Sequence, residues 1–117
     1  MKQQIFILED NEERIKSFKA TYHDCDLTIT TTAQEAINVL DRISLLVFDL
    51  ITLDHDLGGE VYCQSDEKSG YQVAKFLSAR MIPCPVIIHS WNPVGAKNML
   101  RALPEACIIP FDNKRHI

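Results

Sequence analysis

The segment Leu53-Asp54-His55-Asp56-Leu57-Gly58-Gly59 brackets an imidazole with two carboxylates and then releases the backbone with two glycines. Carboxylates can hold a hard cation. An imidazole that titrates near neutrality can move a proton or ligate a softer metal. The segment follows an apolar run, Leu45-Leu46-Val47-Phe48 and Leu50-Ile51 interrupted by Asp49, so it falls where a buried strand ends. Two other apolar runs end in chemically useful residues. Ile5-Phe6-Ile7-Leu8 leads into Glu9-Asp10, and Val86-Ile87-Ile88 leads into His89-Ser90-Trp91-Asn92-Pro93.

Three acids in one crevice repel unless a cation joins them. Glu9, Asp10 and Asp54 are therefore candidate ligands of a hard divalent ion, Mg²⁺ or Mn²⁺. Glu9 and Asp10 have a second reading as acids at the N-terminus of the first helix, and the two roles are compatible. His55 and His89, with Asp56, add either acid–base chemistry on a phosphoester or a softer site for Zn²⁺, Mn²⁺ or Fe²⁺. Ser90 and Asn92 are placed to hold an anionic oxygen near the start of the following helix, whose free N–H groups favour phosphate. Asn92 reads equally as the N-cap of that helix, with Pro93 at its first position. Trp91 and Tyr62 are candidates for stacking on a base, or for plain packing.

These residues converge only if the elements between them form an open sheet. Ile5–Leu8 reads as a buried parallel strand, and Glu12–Thr21 as an amphipathic helix carrying Ile15 and Phe18. Asp26–Thr31 alternates as a second strand. Thr32 and Glu35 have the spacing of a capping box, opening a helix with Ala33, Ala36, Ile37 and Leu40 on its apolar face. The third strand is expected around Leu50–Asp54, with Ser44–Phe48 as its approach; a continuous strand from Leu45 is the rival. A long connection over His55–Ser69, either a binding segment or a surface insertion, leads to a helix after Gly70 with Tyr71, Val73, Ala74, Phe76 and Leu77. Val86–Ile88 is the fourth strand, Val94–Leu103 the fourth helix, and Ala106–Ile109 the fifth strand before Pro110-Phe111.

Strand and helix alternate five times, lacking only a last helix. This predicts a doubly wound, five-stranded parallel α/β sheet of flavodoxin-like order 2-1-3-4-5, with all strand C-termini on one edge. Without the last helix, part of the sheet face shared with the first helix is left uncovered, and the expectation is a homodimer through that face.

At 117 residues the chain is expected to form one domain, 1–117, and at 46% hydrophobic residues it can build a core without staples. A formal net charge of -4 argues against nonspecific binding to a nucleic-acid backbone. It does not exclude a phosphate-bearing ligand held through a metal. The four cysteines, Cys25, Cys63, Cys84 and Cys107, form no CxxC pair; Cys84 and Cys107 read as small core hydrophobes. With no signal-peptide pattern and no apolar run of membrane-spanning length, a cytoplasmic location and no membrane partner are expected.

The chain resembles a response-regulator receiver domain. That resemblance implies an acid pair at Glu9 and Asp10 holding Mg²⁺, a phosphoacceptor at Asp54 and a hydroxyl residue at Ser90. The long motifs Leu53–Gly58 and His89-Ser90-Trp91-Asn92-Pro93-Val94-Gly95-Ala96-Lys97-Asn98-Met99 are more closely similar to a divergent receiver family associated with processing of cyclic phosphates. One departure matters: where receivers carry a Lys after the fifth strand, this chain has Ile109 before Pro110-Phe111. Lys97, Arg101 and Lys114 are the candidate replacement cations.

Two functions follow as expectations. The first is a metal-dependent phosphoesterase acting on a cyclic phosphate of a nucleotide or RNA end. In it Glu9, Asp10 and Asp54 hold the metal, Asp54, His55, Asp56 and His89 do the chemistry, and Ser90, Asn92 and Lys97 hold the phosphate. The second is a noncatalytic receiver-like signalling or nucleotide-binding module, phosphorylated on Asp54 in its switch form.

Overall fold

A computed structural model describes residues 2–57 and 69–109. Five parallel strands form one sheet in the order β2-β1-β3-β4-β5. The strands are β1 (Gln4–Leu8), β2 (Asp26–Thr30), β3 (Leu50–Leu53), β4 (Val86–Ile88) and β5 (Cys107–Ile108). The helices are α1 (Glu12–Thr21), α2 (Ala33–Arg42), α3 (Gly70–Ser78) and α4 (Pro93–Ala102), so every crossover between neighbouring strands in sequence carries one helix. The fold class and strand order are those expected from the alternating pattern.

Each helix begins where a side-chain oxygen takes an orphan N–H of the first turn. Asn11 caps α1 through the Arg14 N–H, Thr32 caps α2 through the Glu35 N–H, Ser69 caps α3 through the Tyr71 N–H, and Asn92 caps α4 through the Gly95 N–H. The α2 cap differs from the expected box in one respect: the Glu35 carboxylate accepts the N–H of Thr31, at 2.8 Å, one residue before the cap. The residues after α2 form a short 3₁₀ turn, Leu45–Val47, which rules out a continuous strand from Leu45. Asp49, anomalous for a buried strand, stands outside β3; its carboxylate accepts the Gln4 N–H at 2.8 Å and starts the pairing with β1.

Strand alternation divides the core in two. Phe6, Leu8, Ile51, Leu53 and Ile88 pack with Ala36, Leu40, Val73, Leu77, Ala96 and Met99 of α2, α3 and α4. Ile5 and Ile7 face the other way, onto Phe18 of α1. In β2 Thr30 is buried, its hydroxyl donating to the Ile7 carbonyl at 2.9 Å.

The fifth strand is shorter than expected, two residues, and both are exposed. Cys107 is therefore a surface residue and not the core hydrophobe its apolar neighbours suggested, whereas Cys84 is partly buried and packs against the core; β5 is the sheet edge, and an edge strand has a partner on one side only. Cys63, Tyr62, Gly58, Gly59, most of the expected His55–Ser69 connection, Pro110-Phe111, Lys114 and the rest of the segment after β5, on which the expectation about a last helix falls, lie outside the described residues. Among the described residues no helix is long and apolar enough to cross a membrane.

Candidate functional site

The backbone register assembles the site before any side chain is considered. Leu8 pairs with Leu53, and Leu53 with Ile88. One residue further along each strand, the Asp54 N–H donates to the Leu8 carbonyl at 3.1 Å and the His89 N–H to the Leu53 carbonyl at 2.9 Å. Glu9, Asp54 and His89 thus form one row across three adjacent strand ends. They share the parity of Ile5, Ile7 and Thr52, and so face α1.

All three side chains are buried. His89 Nε2 lies 3.1 Å from Glu9 Oε1, and the His89 ring meets Phe18 of α1 edge-on, with centroids 5.3 Å apart. The other Glu9 oxygen accepts the N–H groups of Asp10 and Asn11, both at 3.1 Å, so this acid also orders the turn into α1. Asp54 Oδ1 accepts the N–H of His55 at 2.8 Å. Arg14, one turn into α1, brings its guanidinium to 3.6 Å from Glu9 and 3.8 Å from Asp54.

The electrostatics of the two acids diverge. Burial pushes the Glu9 carboxyl up, but its hydrogen bond to His89, the His89 charge, the Asn11 N–H and Arg14 together outweigh burial and hold it below the ordinary glutamate value. Burial and the neighbouring Glu9 charge push Asp54 up to about 8, against the pull of Arg14 and the His55 N–H. Near neutral pH the pair therefore holds one negative charge, with the proton on Asp54, as expected for two carboxyls sharing a dry crevice.

One ligand atom from each of Glu9, Asp54 and His89 lies within 4.8 Å of the other two. An octahedral ion with ligands about 2.1 Å away spans about 3 to 4 Å between donors, so a small closure of the three side chains suits it. His89 Nδ1 is buried without a hydrogen-bond partner among the described residues, as expected of a ring whose second nitrogen awaits a ligand or a water. Two carboxylates and an imidazole make a donor set that Mn²⁺ and Zn²⁺ accept readily and Mg²⁺ accepts with retained waters.

Asp10 is half-buried and stands outside this group; His89 takes the third place that the sequence assigned to it. His55 also stands outside it. Its ring is buried against α4, where a Cβ on Gly95 would come within 2.5 Å of the imidazole. His55 Nδ1 lies 2.9 Å from Asp56 Oδ1. Asn92 Nδ2 donates to the same Asp56 oxygen at 3.1 Å, while Asn92 Oδ1 accepts the Gly95 N–H at 3.0 Å. The two imidazoles thus belong to different faces: His89 to the α1 side, His55 to the α4 side. The His55 N–H on Asp54 joins the two groups.

This second cluster redefines the anion site expected at α4. Asn92 is the N-cap, with Pro93 in the first turn. Pro93 has no N–H, and the Gly95 and Ala96 N–H groups are taken by the Asn92 side chain and carbonyl. Ser90 is buried, and its hydroxyl accepts the Asn92 N–H at 3.0 Å. Lys97 is exposed beside a cavity of about 330 Å³ that Ser90, Trp91, Pro93, Ala96 and Ile108 also line.

The profile of the family described as "Cyclic-phosphate processing Receiver domain" matches residues 5–105. The chain belongs to this receiver-domain family. Solved receiver domains share its fold. The phosphorylated cyanobacterial phytochrome response regulator RcpA superposes with a TM-score of 0.69 at 21% identity, over 96% of this chain and 82% of that one. The Mn²⁺-bound form of response regulator Rcp1 gives 0.68 at 18% identity, over 94% and 81%. A CheY-like receiver domain from Methylobacillus flagellatus gives 0.64 at 19% identity, over 97% and 92%. No curated protein matches the chain.

Three residues of this receiver domain escaped the sequence reading. Gly70 opens α3 against the end of β3; a Cβ there would sit 1.7 Å from the Asp54 carbonyl oxygen. Gly95 makes room for His55. Arg14 supplies the cation of the row. Its signal was available: a helical side chain leans toward the helix N-terminus, and Arg14 follows the Asn11 cap by three residues, at the strand edge.

Proposed function

We propose that this receiver domain is a metal-dependent phosphoesterase that opens a cyclic phosphate of a nucleotide or RNA end. The observation that carries the reading is the buried row Glu9–Asp54–His89, with donor atoms within 4.8 Å of one another at the C-terminal edge of the sheet. The family match supports the substrate class. A divalent ion there, Mn²⁺ or Mg²⁺ and alternatively Zn²⁺, would polarise the phosphoryl group and lower the pKa of an attacking water. The Mn²⁺-bound form of one fold neighbour supports that choice of ions.

Glu9 and Asp54 bind through their carboxylates, which requires Asp54 to give up its proton. His89, edge-on to Phe18 and hydrogen-bonded to Glu9, would supply the third, imidazole donor to the ion. His55 and Asp56 hold the strand end: with Asn92 they tie the β3 terminus to α4 and orient Asp54 through the His55 N–H. The Ser90 hydroxyl, which accepts from Asn92, still has its own proton to donate to a phosphate oxygen. Lys97 and Trp91 border the cavity that would receive the organic part of the substrate.

Turnover of cyclic mononucleotides with added Mn²⁺ or Mg²⁺ tests this. Activity abolished by Asp54→Asn and by His89→Ala is expected; stoichiometric binding without product sinks the enzyme reading.

The second reading is a noncatalytic signalling module phosphorylated on Asp54. The position of Asp54 at the end of the third strand of a receiver fold favours it, as does the phosphorylated state of RcpA. Stable acetyl-phosphate labelling of Asp54 without turnover would select it. A homodimer through the α1 face remains part of both readings. Cys107 and Ile109 are exposed at the β5 edge, and sedimentation of the wild type against Ile109→Glu tests it.

A further inference from the structure

We propose that the cavity beside Ser90 is a nucleobase subsite, which takes any of the four bases by stacking and apolar contact rather than by reading its edge. The proposal rests on the phosphoesterase reading above and names the organic part of its substrate. The cavity holds about 330 Å³ and is lined by Ser90, Trp91, Pro93, Ala96, Lys97 and Ile108. That volume is at the lower end of the range of small-molecule sites, which suits a single nucleoside. Its position ties it to the row. Ser90 follows His89 directly, about 3.8 Å along the chain. It has the parity of Ile88, so it leaves the strand end on the α4 side where His89 leaves on the α1 side. A ligand lying across the end of β4 therefore reaches both.

The lining decides the chemistry of the occupant. A cyclic phosphate is carried on a polyol. In the ester of glycerol or of a bare sugar the remainder is hydroxyl groups, each costly to bury without a partner. In a nucleotide it includes a flat ring with two apolar faces. Four of the six lining residues are apolar, and neither a carboxylate nor a side-chain amide is among them. Such walls cannot match the donor and acceptor pattern by which one base differs from another, whereas every base has a face to stack. Trp91 supplies an aromatic wall and is 56% exposed. The surround is apolar too. Of the eight large hydrophobic residues exposed among the described residues, Trp91, Val94, Ile108 and Ile109 stand here, after β4, in the first turn of α4 and at the end of β5. A patch of that kind marks a contact surface. Lys97, exposed and in no ion pair among the described residues, adds one positive charge for an anionic ligand.

The test uses the full chain as wild type, Trp91→Ala and Trp91→Phe. The probes are the 2′,3′-cyclic monophosphates of adenosine, guanosine, cytidine and uridine, with glycerol 1,2-cyclic phosphate as the base-free control. Binding is measured calorimetrically in a chelator, and opening of the phosphate ring separately with Mn²⁺. Trp91 is the only tryptophan of the chain, so its fluorescence reports on this cavity. The four nucleotides should bind within about tenfold of one another and shift that fluorescence, and should bind about ten- to hundredfold more weakly to Trp91→Ala. Trp91→Phe should keep most of the affinity, and the control should bind wild type and Trp91→Ala alike. Equal nucleotide affinity in wild type and Trp91→Ala overturns the subsite; if Mn²⁺ still opens the ring, the phosphoesterase reading stands. One base preferred by more than about a hundredfold overturns recognition without edge reading. Nucleotide affinity that falls as protein concentration rises puts a second copy of the chain in the cavity, and also overturns the subsite. Trp91-dependent binding with no product in Mn²⁺ supports the subsite and overturns the enzyme. Neither binding nor product overturns both.

Discussion

Asp54→Asn should stabilise the metal-free protein, and increasingly so as pH rises. Asp54 is buried and its carboxyl is pushed from 3.8 up to about 8 by burial and by Glu9. In the unfolded chain the same carboxyl loses its proton near 3.8. Between these values the folded state binds the extra proton, so stability is full below the lower value and falls as pH rises toward the upper one. Each pH unit of the window is worth about 1.4 kcal/mol, and a span of about four units sets a ceiling on the order of 5 kcal/mol. Arg14 can move closer as Asp54 ionises and return part of that cost, so a net loss of about 2 to 4 kcal/mol is expected. Asparagine has nearly the shape of the protonated acid, keeps an oxygen for the His55 N–H, and cannot ionise. Glu9 has the opposite sign: its depressed carboxyl contributes stability that is lost as pH falls, so measurements belong above about pH 5. The assay is urea unfolding in a chelator from about pH 5 to about pH 8, read by circular dichroism. The wild type should lose stability across the range and Asp54→Asn should stay nearly level. Parallel profiles would mean that Asp54 is already ionised at the acid end, and would refute the crowded-carboxyl reasoning.

Because Asp54 must lose its proton to bind a cation, the apparent Mn²⁺ affinity should rise up to tenfold per pH unit below about 8 and level off above it; calorimetry in buffers of different ionisation enthalpy should show about one proton released, and His89→Ala should weaken binding. Gly95→Ala forces a methyl to within 2.5 Å of the His55 ring and should cost about 1 to 3 kcal/mol in urea unfolding, with the His55 imidazole resonances shifted. Gly70→Ala sets a methyl against backbone, at 1.7 Å from the Asp54 carbonyl oxygen; a loss above about 3 kcal/mol, or failure to fold, is expected, measured by the same method. Asn92→Ala removes the α4 cap and the donor to Asp56 together and should cost about 1 to 3 kcal/mol, with earlier hydrogen exchange in the first turn of α4.

Much of this protein was legible in local patterns. The apolar runs Ile5–Leu8 and Val86–Ile88, the Thr32 and Asn92 caps and the alternation of strand with helix are short-range features, and they sufficed for the sheet order and for the edge where Glu9, Asp54 and His89 would meet. Asp54 and His89 were identifiable because residues that end buried strands gather on one edge of a parallel sheet. What local pattern does not carry is side. A strand-end residue and its neighbour leave on opposite faces, so one step in register separates Asp54 from His55 and His89 from Ser90. The pairing of Leu8 with Leu53 and of Leu53 with Ile88 decided that the row is Glu9, Asp54 and His89, and that His55 belongs with Asp56, Asn92 and Gly95 under α4. Arg14, forty residues from Asp54 in the chain, became part of the site only through the docking of α1 on the sheet. The sequence determined which chemical groups reach the edge; tertiary structure decided which of them share a face, because register and helix docking are set by packing across the whole core.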